Sequence, residues 1–599
     1  MVAQNPQLAS GRRSCSSSMP AQSLRSLWLG WAVMVIALLP VLIAIWTVAG
    51  MTTQDGPTHL YNSWILNRSF APYSPYHGYF SVHWQPLPNW AGHLALALLV
   101  ELVSPWSADR IMITLTLLGF SASFVWLRWR VRGAEGIVGG SVLAALLGLN
   151  FPWLLGFNSF LLGCCLLAIT LGVWWVGRDR LEPLRLVSLA ILLVLGYFGH
   201  LVSLGLTVAA LGFLSLFAPA RDEANDRWRS RLVRMRRTAL PCLPLILLGA
   251  VYLRIARQGG PMHAVWENLK DPHSNMLDPY SIWAWISRMG WVDPLTLARK
   301  DMLPFTEQRS RLFFVFSPVG WLVAAGLIVL LGIAIAWWRN ARSPRTVTRD
   351  GSDRPGGFSV VACRRTRQAW LGLGLFLLLA GWLGPDSLGS SHGEYLPQRL
   401  EILGLAALVP AIDFKLGTRH GRLALGCLVV AGILQTLIVW DYAQYCDRTA
   451  GQIMRASDLV GRNQRIATVL IRISSRFRCN PLLHADSWLG VGTGNILWSN
   501  YEVRCYYFPV QFRPGVDHPN SRRFEDLALK TDPRPTETAI AVWEEILTRH
   551  HGSIDRVVAW HRDPALDAIT DRWFEVTGEA GDVRIFSPRA TLLAKHDRH

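Results

Sequence analysis

The chain has 599 residues, of which 51% are hydrophobic and only 17% are charged, whereas charged residues make up about a quarter of a typical soluble domain. A formal charge of +18 would suit a nucleic-acid partner, so the position of the basic residues matters more than their number. They cluster at the ends of apolar runs, while the region after Asp441 is nearly balanced, with 21 basic and 19 acidic residues. This is the positive-inside signature of a membrane protein, and it argues against a nucleic-acid partner.

Apolar runs of nearly the 20 residues that cross a bilayer recur along the first three quarters of the chain. The first, from Leu27 to Gly50, is too long for the apolar core of a signal peptide and lacks a small-residue cleavage site, so we expect it to be retained. With the basic clusters inside, the sequence predicts an α-helical polytopic membrane protein with about eleven transmembrane helices and a cytoplasmic amino terminus. The predicted spans are residues 27–49, 108–127, 136–151, 154–177, 185–199, 201–219, 239–255, 312–338, 369–385, 398–413 and 422–441.

One apolar run does not fit as a span. The run from Asn89 to Val103 has only fifteen residues, and if it crossed the membrane, the arginines that follow Leu127 would face outward. We therefore predict that it forms a helix lying flat at the outer membrane surface.

The predicted domain organisation follows from this topology. Residues 1–26 form a cytoplasmic tail, and residues 27–441 form a transmembrane domain with large outer loops at 50–109 and 256–310. Residues 442–599 form a small extracytoplasmic α/β domain.

Four segments of that last domain have clear secondary-structure patterns. The β-branched runs "RIATVLIRI" and "IDRVVAWH" predict buried strands, and "TETAIAVWEEILTRH" predicts a helix that begins near Thr536. The segment "RWFEVTGEAGDVRIFSP" predicts a closing hairpin.

The stretch "TQDGPTH" directly after the first span holds the first candidate catalytic residue. Pro57 favours the first turn of a helix, which places Asp55 just before that helix and His59 one turn inside it. One interpretation is that Asp55 accepts hydrogen bonds from the free N–H groups at the helix start. The other is that Asp55 faces a cavity at the outer surface and acts as a general base, since burial can bring the pKa of a carboxylate close to working pH.

The arrangement resembles the GT-C class of integral membrane glycosyltransferases, which includes protein O-mannosyltransferases, aminoarabinose transferases of lipid A and RgtA-type sugar transferases. The shared features are a first span followed at once by an outward acidic motif, an outer-surface helix, and a second span that ends in arginines. The stretch "HWQPLPNWAGHLALALLVELV", with His83, is similar to the first-loop helix of that class. The resemblance covers roughly residues 27–220.

The resemblance assigns the catalytic-base role to Asp55. Gly56 stands where many members of the class carry a second acid, so the sequence gives no acidic pair that would bind a metal. A divalent cation stays possible, with His59 as a ligand or orienting residue, but a structural role for that histidine is the alternative.

A second group of polar residues lies before the predicted tenth span, in "SSHGEYLPQRLEILGL". His392, Glu394 and Arg399 face the same side as Asp55 in the predicted topology. The resemblance implies a polyprenyl-phosphate sugar donor, and a guanidinium can bind such a phosphate through two hydrogen bonds. Arg399 is the candidate for this role, and the alternative is that it extends to the membrane interface as long basic side chains do.

Two further segments are weaker candidates. His200 lies between two predicted spans, where a polar residue is either functional or a turn cap. The aromatic segment from Ser499 to Phe512 is expected to pack onto the membrane part, and the sequence assigns it no chemistry.

The leading functional hypothesis is a glycosyltransferase of a bacterial cytoplasmic membrane. It would move a sugar from a polyprenyl-phosphate carrier to a lipid, glycan or protein acceptor on the outer side. One alternative is a transporter or flippase for lipid-linked sugars, which would require charged groups through the membrane interior or broken helices in matching halves. The other is a membrane scaffold whose carboxyl-terminal domain binds a partner.

Overall fold

The computed structural model describes residues 21–220, 228–258, 360–385, 395–412, 416–473, 475–529 and 535–589, together with a few isolated positions between 295 and 332. The predicted span at 312–338 and most of the outer loop at 256–310 lie outside these residues, as do the predicted substrate-binding residues His392 and Glu394.

The described part of the chain is mostly helical. Its α-helices are α1 Ala21–Thr47, α2 Gly56–Arg68, α3 Trp90–Leu102, α4 Pro105–Arg132, α5 Ile137–Gly148, α6 Phe151–Leu155, α7 Asn158–Gly177, α8 Pro183–Gly199, α9 Leu201–Phe217, α10 Trp228–Ala239, α11 Leu243–Gln258, α12 Val360–Leu383, α13 Leu396–Ala411, α14 Arg419–Arg448, α15 Ala450–Arg455, α16 Ser457–Val460, α17 Ser521–Leu529, α18 Glu537–His550 and α19 Pro564–Thr570.

Six helical stretches within the described ranges are long and apolar enough to cross a membrane. They are Leu24–Thr47, Pro105–Arg132, Ile137–Leu155, Asn158–Gly177, Trp228–Ile255 and Arg419–Val460. The shorter apolar helices include α8 and α9, each with 17 residues. The membrane character predicted from composition is therefore confirmed, and the number of eleven spans stays a prediction.

The run predicted to lie flat at the outer surface forms helix α3, which has 13 residues. At 1.5 Å per residue it is about 20 Å long, well short of the roughly 30 Å hydrocarbon core of a bilayer. Its length therefore agrees with the prediction that it does not cross the membrane.

The strands are β1 Phe80–Val82, β2 Arg465–Leu470, β3 Ile496–Leu497, β4 Val510–Phe512, β5 Arg556–Trp560, β6 Phe574–Ala580 and β7 Val583–Pro588. Five of them form a sheet of order β3-β2-β5-β7-β6, in which β2 pairs in parallel with both β3 and β5. β6 and β7 form an antiparallel hairpin that pairs with β5 through β7. The two buried strands and the closing hairpin predicted for this region are confirmed, and so is the helix that begins after Thr536, whose hydroxyl accepts from the Ala539 N–H.

The segment that the sequence predicts as the first outer loop folds together with the carboxyl-terminal region. β1 pairs antiparallel with β4, so that Phe80 lies opposite Phe512. Helix α2 contributes Tyr61 and Ile65 to the same hydrophobic cluster that holds the core of the five-stranded sheet. Helix α2, β1 and the carboxyl-terminal domain thus pack as one unit, which we call the outer unit after its predicted side of the membrane. The domain boundary at residue 442 stays a prediction.

The Tyr61 hydroxyl joins α2 to the sheet. It donates to the Asn495 carbonyl at 2.8 Å and accepts from the Leu497 N–H at 3.3 Å. We expect Tyr61→Phe to destabilise the outer unit by about 1–3 kcal/mol, because two buried main-chain groups lose their partner. The thermal unfolding midpoint should fall by several degrees, while Tyr73→Phe should leave it unchanged, since Tyr73 is 98% exposed. Equal midpoints for the two variants would contradict this role of Tyr61.

Candidate functional site

Asp55 lies immediately before helix α2, as the sequence predicted, but it does not cap that helix. Among the described residues, no N–H group at the helix start donates to its carboxylate. Instead, the hydroxyl oxygen of Thr53 accepts from the Gly56 N–H at the helix start, at 3.1 Å. The interpretation of Asp55 as a helix cap is therefore wrong, and its carboxylate faces other groups.

The backbone of this segment is fixed by the short helix α6. The Gln54 N–H donates to the Leu154 carbonyl at 3.1 Å, and the Asp55 N–H donates to the Leu155 carbonyl at 2.9 Å. Gly156, directly after α6, allows α6 to lie this close to residues 53–55 because it has no side chain. A Cβ on Gly156 would lie 2.6 Å from the Thr53 Oγ1. Gly156 also has a φ of +87°, a conformation that favours glycine.

The Asp55 carboxylate is buried, with 8% of the residue exposed. Gln54 Nε2 lies 3.4 Å and His484 Nε2 lies 3.7 Å from its Oδ1. Burial raises the pKa of Asp55 to about 7, against the lowering effects of the His59 charge and the Gln54 hydrogen bond. A carboxylate with a pKa in this range can both take up and release a proton near neutral pH.

A second carboxylate, that of Asp109 on α4, lies close to Gly56. A Cβ on Gly56 would lie 2.5 Å from the Thr53 Oγ1 and 3.2 Å from the Oδ1 of Asp109. Asp109 belongs to the first turns of α4 and is 2% exposed. A side chain at position 56 would therefore collide with Thr53 and come close to Asp109, which brings a second acid next to Gly56.

His59 belongs to a buried cluster that joins three parts of the chain. Its Nδ1 contacts Glu502 Oε1, and the other carboxylate oxygen of Glu502 lies 2.8 Å from Nε2 of His93 on α3. We call these three residues the His–Glu–His cluster. Burial alone would raise the pKa of Glu502, but the charges of His93 and His59 lower it to about 2. The cluster thus holds α2 and α3 against the aromatic segment of the carboxyl-terminal domain.

The same cluster could hold a metal ion. One ligand atom from each residue lies within 4.8 Å of the other two. Two imidazoles and one carboxylate are a ligand set that Zn²⁺ uses in proteins, where a fourth position stays open to water or substrate. The Nδ1 atom of His93 is buried and has no hydrogen-bond partner among the described residues.

Arg399 lies near the beginning of helix α13 and is 6% exposed. Its Nη1 lies 2.7 Å from His200 Nε2, and its guanidinium carbon lies 4.5 Å from the ring centre of Phe157 and 5.1 Å from that of Phe160. Phe157 is two residues beyond Leu155, the residue that anchors Asp55. One segment, residues 155–160, therefore connects the surroundings of Asp55 with those of Arg399.

His200 both caps a helix and contacts Arg399. Its Nδ1 accepts from the Val202 N–H at 3.2 Å, which confirms the predicted turn-capping role. His200 thus joins the start of α9 to the Arg399 guanidinium.

His83 lies at the end of β1. Its N–H donates to the Pro509 carbonyl at 2.9 Å, and its ring Nε2 lies 3.2 Å from the Ser81 hydroxyl. Within the described ranges, no contact joins His83 to Asp55 or Arg399. The structure thus brings Asp55 and His59 together, connects Arg399 to them through residues 155–160, and places His83 on the two-stranded sheet.

Sequence reasoning missed Asp109, His93 and Glu502. Each has a signal in the sequence: Asp109 stands at the start of an apolar span, His93 interrupts an apolar run, and Glu502 lies in a segment rich in aromatic residues. Such isolated polar residues in apolar surroundings are candidates for buried contacts, but their partners lie far away in the chain. Glu502 and His59 are 443 positions apart.

Comparisons with known proteins give a limited result. No protein-family model matches the chain, and no curated protein matches it. Among solved structures, the chain is similar to ArnT from Cupriavidus metallidurans in the apo state, with 12% identity over 95% of this chain and 98% of that chain, and a TM-score of 0.37. At this identity and TM-score, the likeness establishes neither a family nor a shared fold.

The His–Glu–His cluster leads to a prediction about metal binding. We expect added Zn²⁺ to raise the thermal unfolding midpoint of the metal-depleted protein, because an ion that binds only the folded state stabilises that state. His93→Gln should abolish the increase. His77→Gln is the control, because His77 lies between α2 and α3 and, within the described ranges, its ring bonds only the Ser69 carbonyl. If Zn²⁺ shifts neither the wild type nor the control, the cluster is a hydrogen-bonded contact without a metal.

Proposed function

We propose that the chain is a membrane glycosyltransferase, which transfers a sugar from a polyprenyl-phosphate carrier to an acceptor on the outer side of a bacterial cytoplasmic membrane. The observation that carries the proposal is the Asp55 carboxylate. It is buried beside the outer end of α1, it is not used as a helix cap, and its pKa is raised to about 7 by burial. A carboxylate fixed in this way suits a general base better than a structural role.

In the proposed reaction, Asp55 takes the proton from a hydroxyl group of the acceptor. The acceptor oxygen then forms a bond with the anomeric carbon of the sugar, and the bond between that carbon and the carrier phosphate breaks. The phosphate leaves with the electron pair. Asp55 later releases its proton to water, which restores the carboxylate.

Arg399 suits the leaving phosphate, because a guanidinium donates strong hydrogen bonds to phosphate oxygens. His200 Nε2 lies 2.7 Å from its Nη1 and helps to position it. The rings of Phe157 and Phe160 flank the guanidinium, at distances where aromatic faces attract a cation. This packing would hold the guanidinium in position for the carrier. His392 and Glu394 remain proposed substrate-binding residues, and His83 remains one on the outer surface.

Asp109 and His59 would support the base. Asp109 is a second buried acid, and its Oδ1 would lie 3.2 Å from a Cβ on Gly56 at the start of α2. His59 is placed one turn after Asp55 and is held by Glu502. A divalent cation, where the His–Glu–His cluster binds one, would fix the start of α2 and with it the position of Asp55.

The proposal includes the topology predicted from charge. Eleven spans with the amino terminus inside would place Asp55, Arg399 and residues 442–599 on the outer side. Nucleotide sugars are not available there, so a lipid-linked donor suits a site at the membrane edge. The packing of α2 and β1 with the carboxyl-terminal domain supports the assignment of these parts to one side.

Asp55→Asn tests the catalytic assignment. The amide has almost the same shape but cannot take up the proton, so transfer to endogenous acceptors, measured by glycan mass spectrometry, should fall by about 10²- to 10⁴-fold. The matched control is Asp458→Asn, which removes an exposed carboxylate from the carboxyl-terminal domain. Unchanged products from a normally expressed Asp55→Asn variant would sink the base assignment.

Labelling of single introduced cysteines tests the topology. A membrane-impermeant maleimide added to intact cells should label Arg572→Cys on the exposed surface of the carboxyl-terminal domain. It should label Arg180→Cys, between α7 and α8, only after the cells are opened, because the charge rule places that turn inside. The parent chain gives the background from native cysteines. Labelling of Arg180→Cys in intact cells would overturn the proposed orientation.

A further inference from the structure

A cavity of about 330 Å³ lies at one edge of the five-stranded sheet, away from the contacts of Asp55 described above. It is placed where the parallel strands β2 and β5 end, at their carboxyl ends. Open α/β sheets commonly bind ligands at this edge. The lining residues are Arg472, His561, Arg562, Gly581, Asp582 and Arg584.

The residues that leave these two strands have an unusual backbone. Arg472 has a φ of +54° and His561 has a φ of +66°, although neither is a glycine. Non-glycine residues in the left-handed region cost on the order of 1 kcal/mol or more, and they cluster at functional sites. Here the two strained turns direct one arginine and one histidine to the same cavity.

The cavity is rich in guanidinium groups. Arg584 is 7% exposed and fixed by two hydrogen bonds to Asp567, at 2.6 and 3.0 Å, so it forms a rigid floor. Arg562 and Arg472 are 70% and 44% exposed. Of the lining residues, only Asp582 is acidic.

The ion pairs of the two exposed arginines do not prevent anion binding. Arg562 contacts Glu579 through Nη2 alone, at 2.7 and 2.9 Å, and both side chains are open to solvent. Arg472 Nη2 lies 3.9 Å from Asp563 Oδ2, and the arginine side chain is open to solvent. Exposed pairs of this kind contribute roughly 0–1 kcal/mol, so an anion of higher charge can compete with them.

The cavity lies near the level of the outer end of the first span. The Gly581–Asp582 turn is held by Gln452, whose Oε1 accepts from the Asp582 N–H at 2.8 Å. Its neighbour Gly451 packs against Gly50, where a Cβ would lie 3.0 Å from the Gly451 Cα. Gly50 is three residues beyond the end of α1. In the proposed topology, in which α1 crosses the membrane, this places the arginines near the level of the lipid head groups.

We propose that this cavity binds a phosphoester anion, and its position favours the head group of an anionic lipid in the outer leaflet. Arginine suits a phosphate because its planar fork can form two parallel hydrogen bonds. Binding would hold the carboxyl-terminal sheet down on the membrane surface. The site is independent of the proposed transfer reaction, but its assignment to the outer leaflet rests on the topology proposed above.

The test is a thermal-shift titration of the full chain in neutral detergent, with three probes: short-chain phosphatidylglycerol, short-chain phosphatidylcholine and inorganic phosphate. The wild type should bind phosphatidylglycerol more tightly than phosphatidylcholine. The double variant Arg472→Gln/Arg562→Gln should bind phosphatidylglycerol about tenfold or more weakly, because the phosphate loses both exposed guanidinium donors. Arg572→Gln, which removes an arginine from another exposed pair of the same domain, is the matched control.

Each outcome decides the proposal. If the double variant loses phosphatidylglycerol binding and Arg572→Gln keeps it, the cavity is a site for a lipid head group. If the wild type shows no lipid preference but the double variant loses binding of inorganic phosphate, the cavity is a phosphoester site for a soluble ligand. Equal binding by the wild type and the double variant, or equal loss in Arg572→Gln, would overturn it. If the double variant fails to fold, Arg562→Gln serves alone, because that side chain is 70% exposed.

Discussion

The hydrogen bond from the Asp55 N–H to the Leu155 carbonyl fixes the candidate site. It ties the end of the first span to α6, and with the neighbouring bond from Gln54 it decides where α2 begins. Because Thr53 accepts from the helix start, the Asp55 carboxylate is not needed there. Two glycines allow other elements to lie close to this segment. Gly156 allows the close contact with α6, and Gly56 leaves room for the Asp109 side chain.

The outer unit keeps this arrangement in place. Helix α2 is held by Tyr61 on the sheet side and by Glu502 near its start, so the position of Asp55 depends on residues more than 400 positions away in the chain. A buried pair of amides, Asn62 and Asn500, exchanges two hydrogen bonds of 3.0 and 2.9 Å in the same contact. Removing one amide of such a buried pair leaves the other without a partner, which lowers stability. The pair therefore fixes the position of α2 against the carboxyl-terminal domain.

Local features of the sequence predicted the local structure well. Pro57 gave the start of α2, the β-branched runs gave β2 and β5, and Thr536 gave the start of α18. These predictions succeed because each depends on residues within one or two turns of the chain. The membrane character follows from composition for the same reason, whereas the number and orientation of the spans depend on a charge rule that the fold itself does not test.

The candidate site could be predicted only in part. Asp55 was found because its neighbours in the chain mark it. Asp109 and Glu502 were missed because what makes them notable is a partner on another element, and a single sequence carries no record of such pairs. The absent acid at position 56 illustrates this: the sequence shows only a glycine, and the reason for it is the close approach of Thr53 and the Asp109 carboxylate.

The most direct measurement of the central claim is an electron cryomicroscopy structure of the chain in a nanodisc with a bound polyprenyl-phosphate sugar. The account predicts the carrier phosphate at hydrogen-bonding distance, about 3 Å, from the Arg399 guanidinium. It also predicts that the anomeric carbon faces Asp55, with space between them for one acceptor hydroxyl at near-attack distances of roughly 3–3.5 Å. A phosphate bound elsewhere, or a sugar whose anomeric carbon faces away from Asp55, would contradict the account.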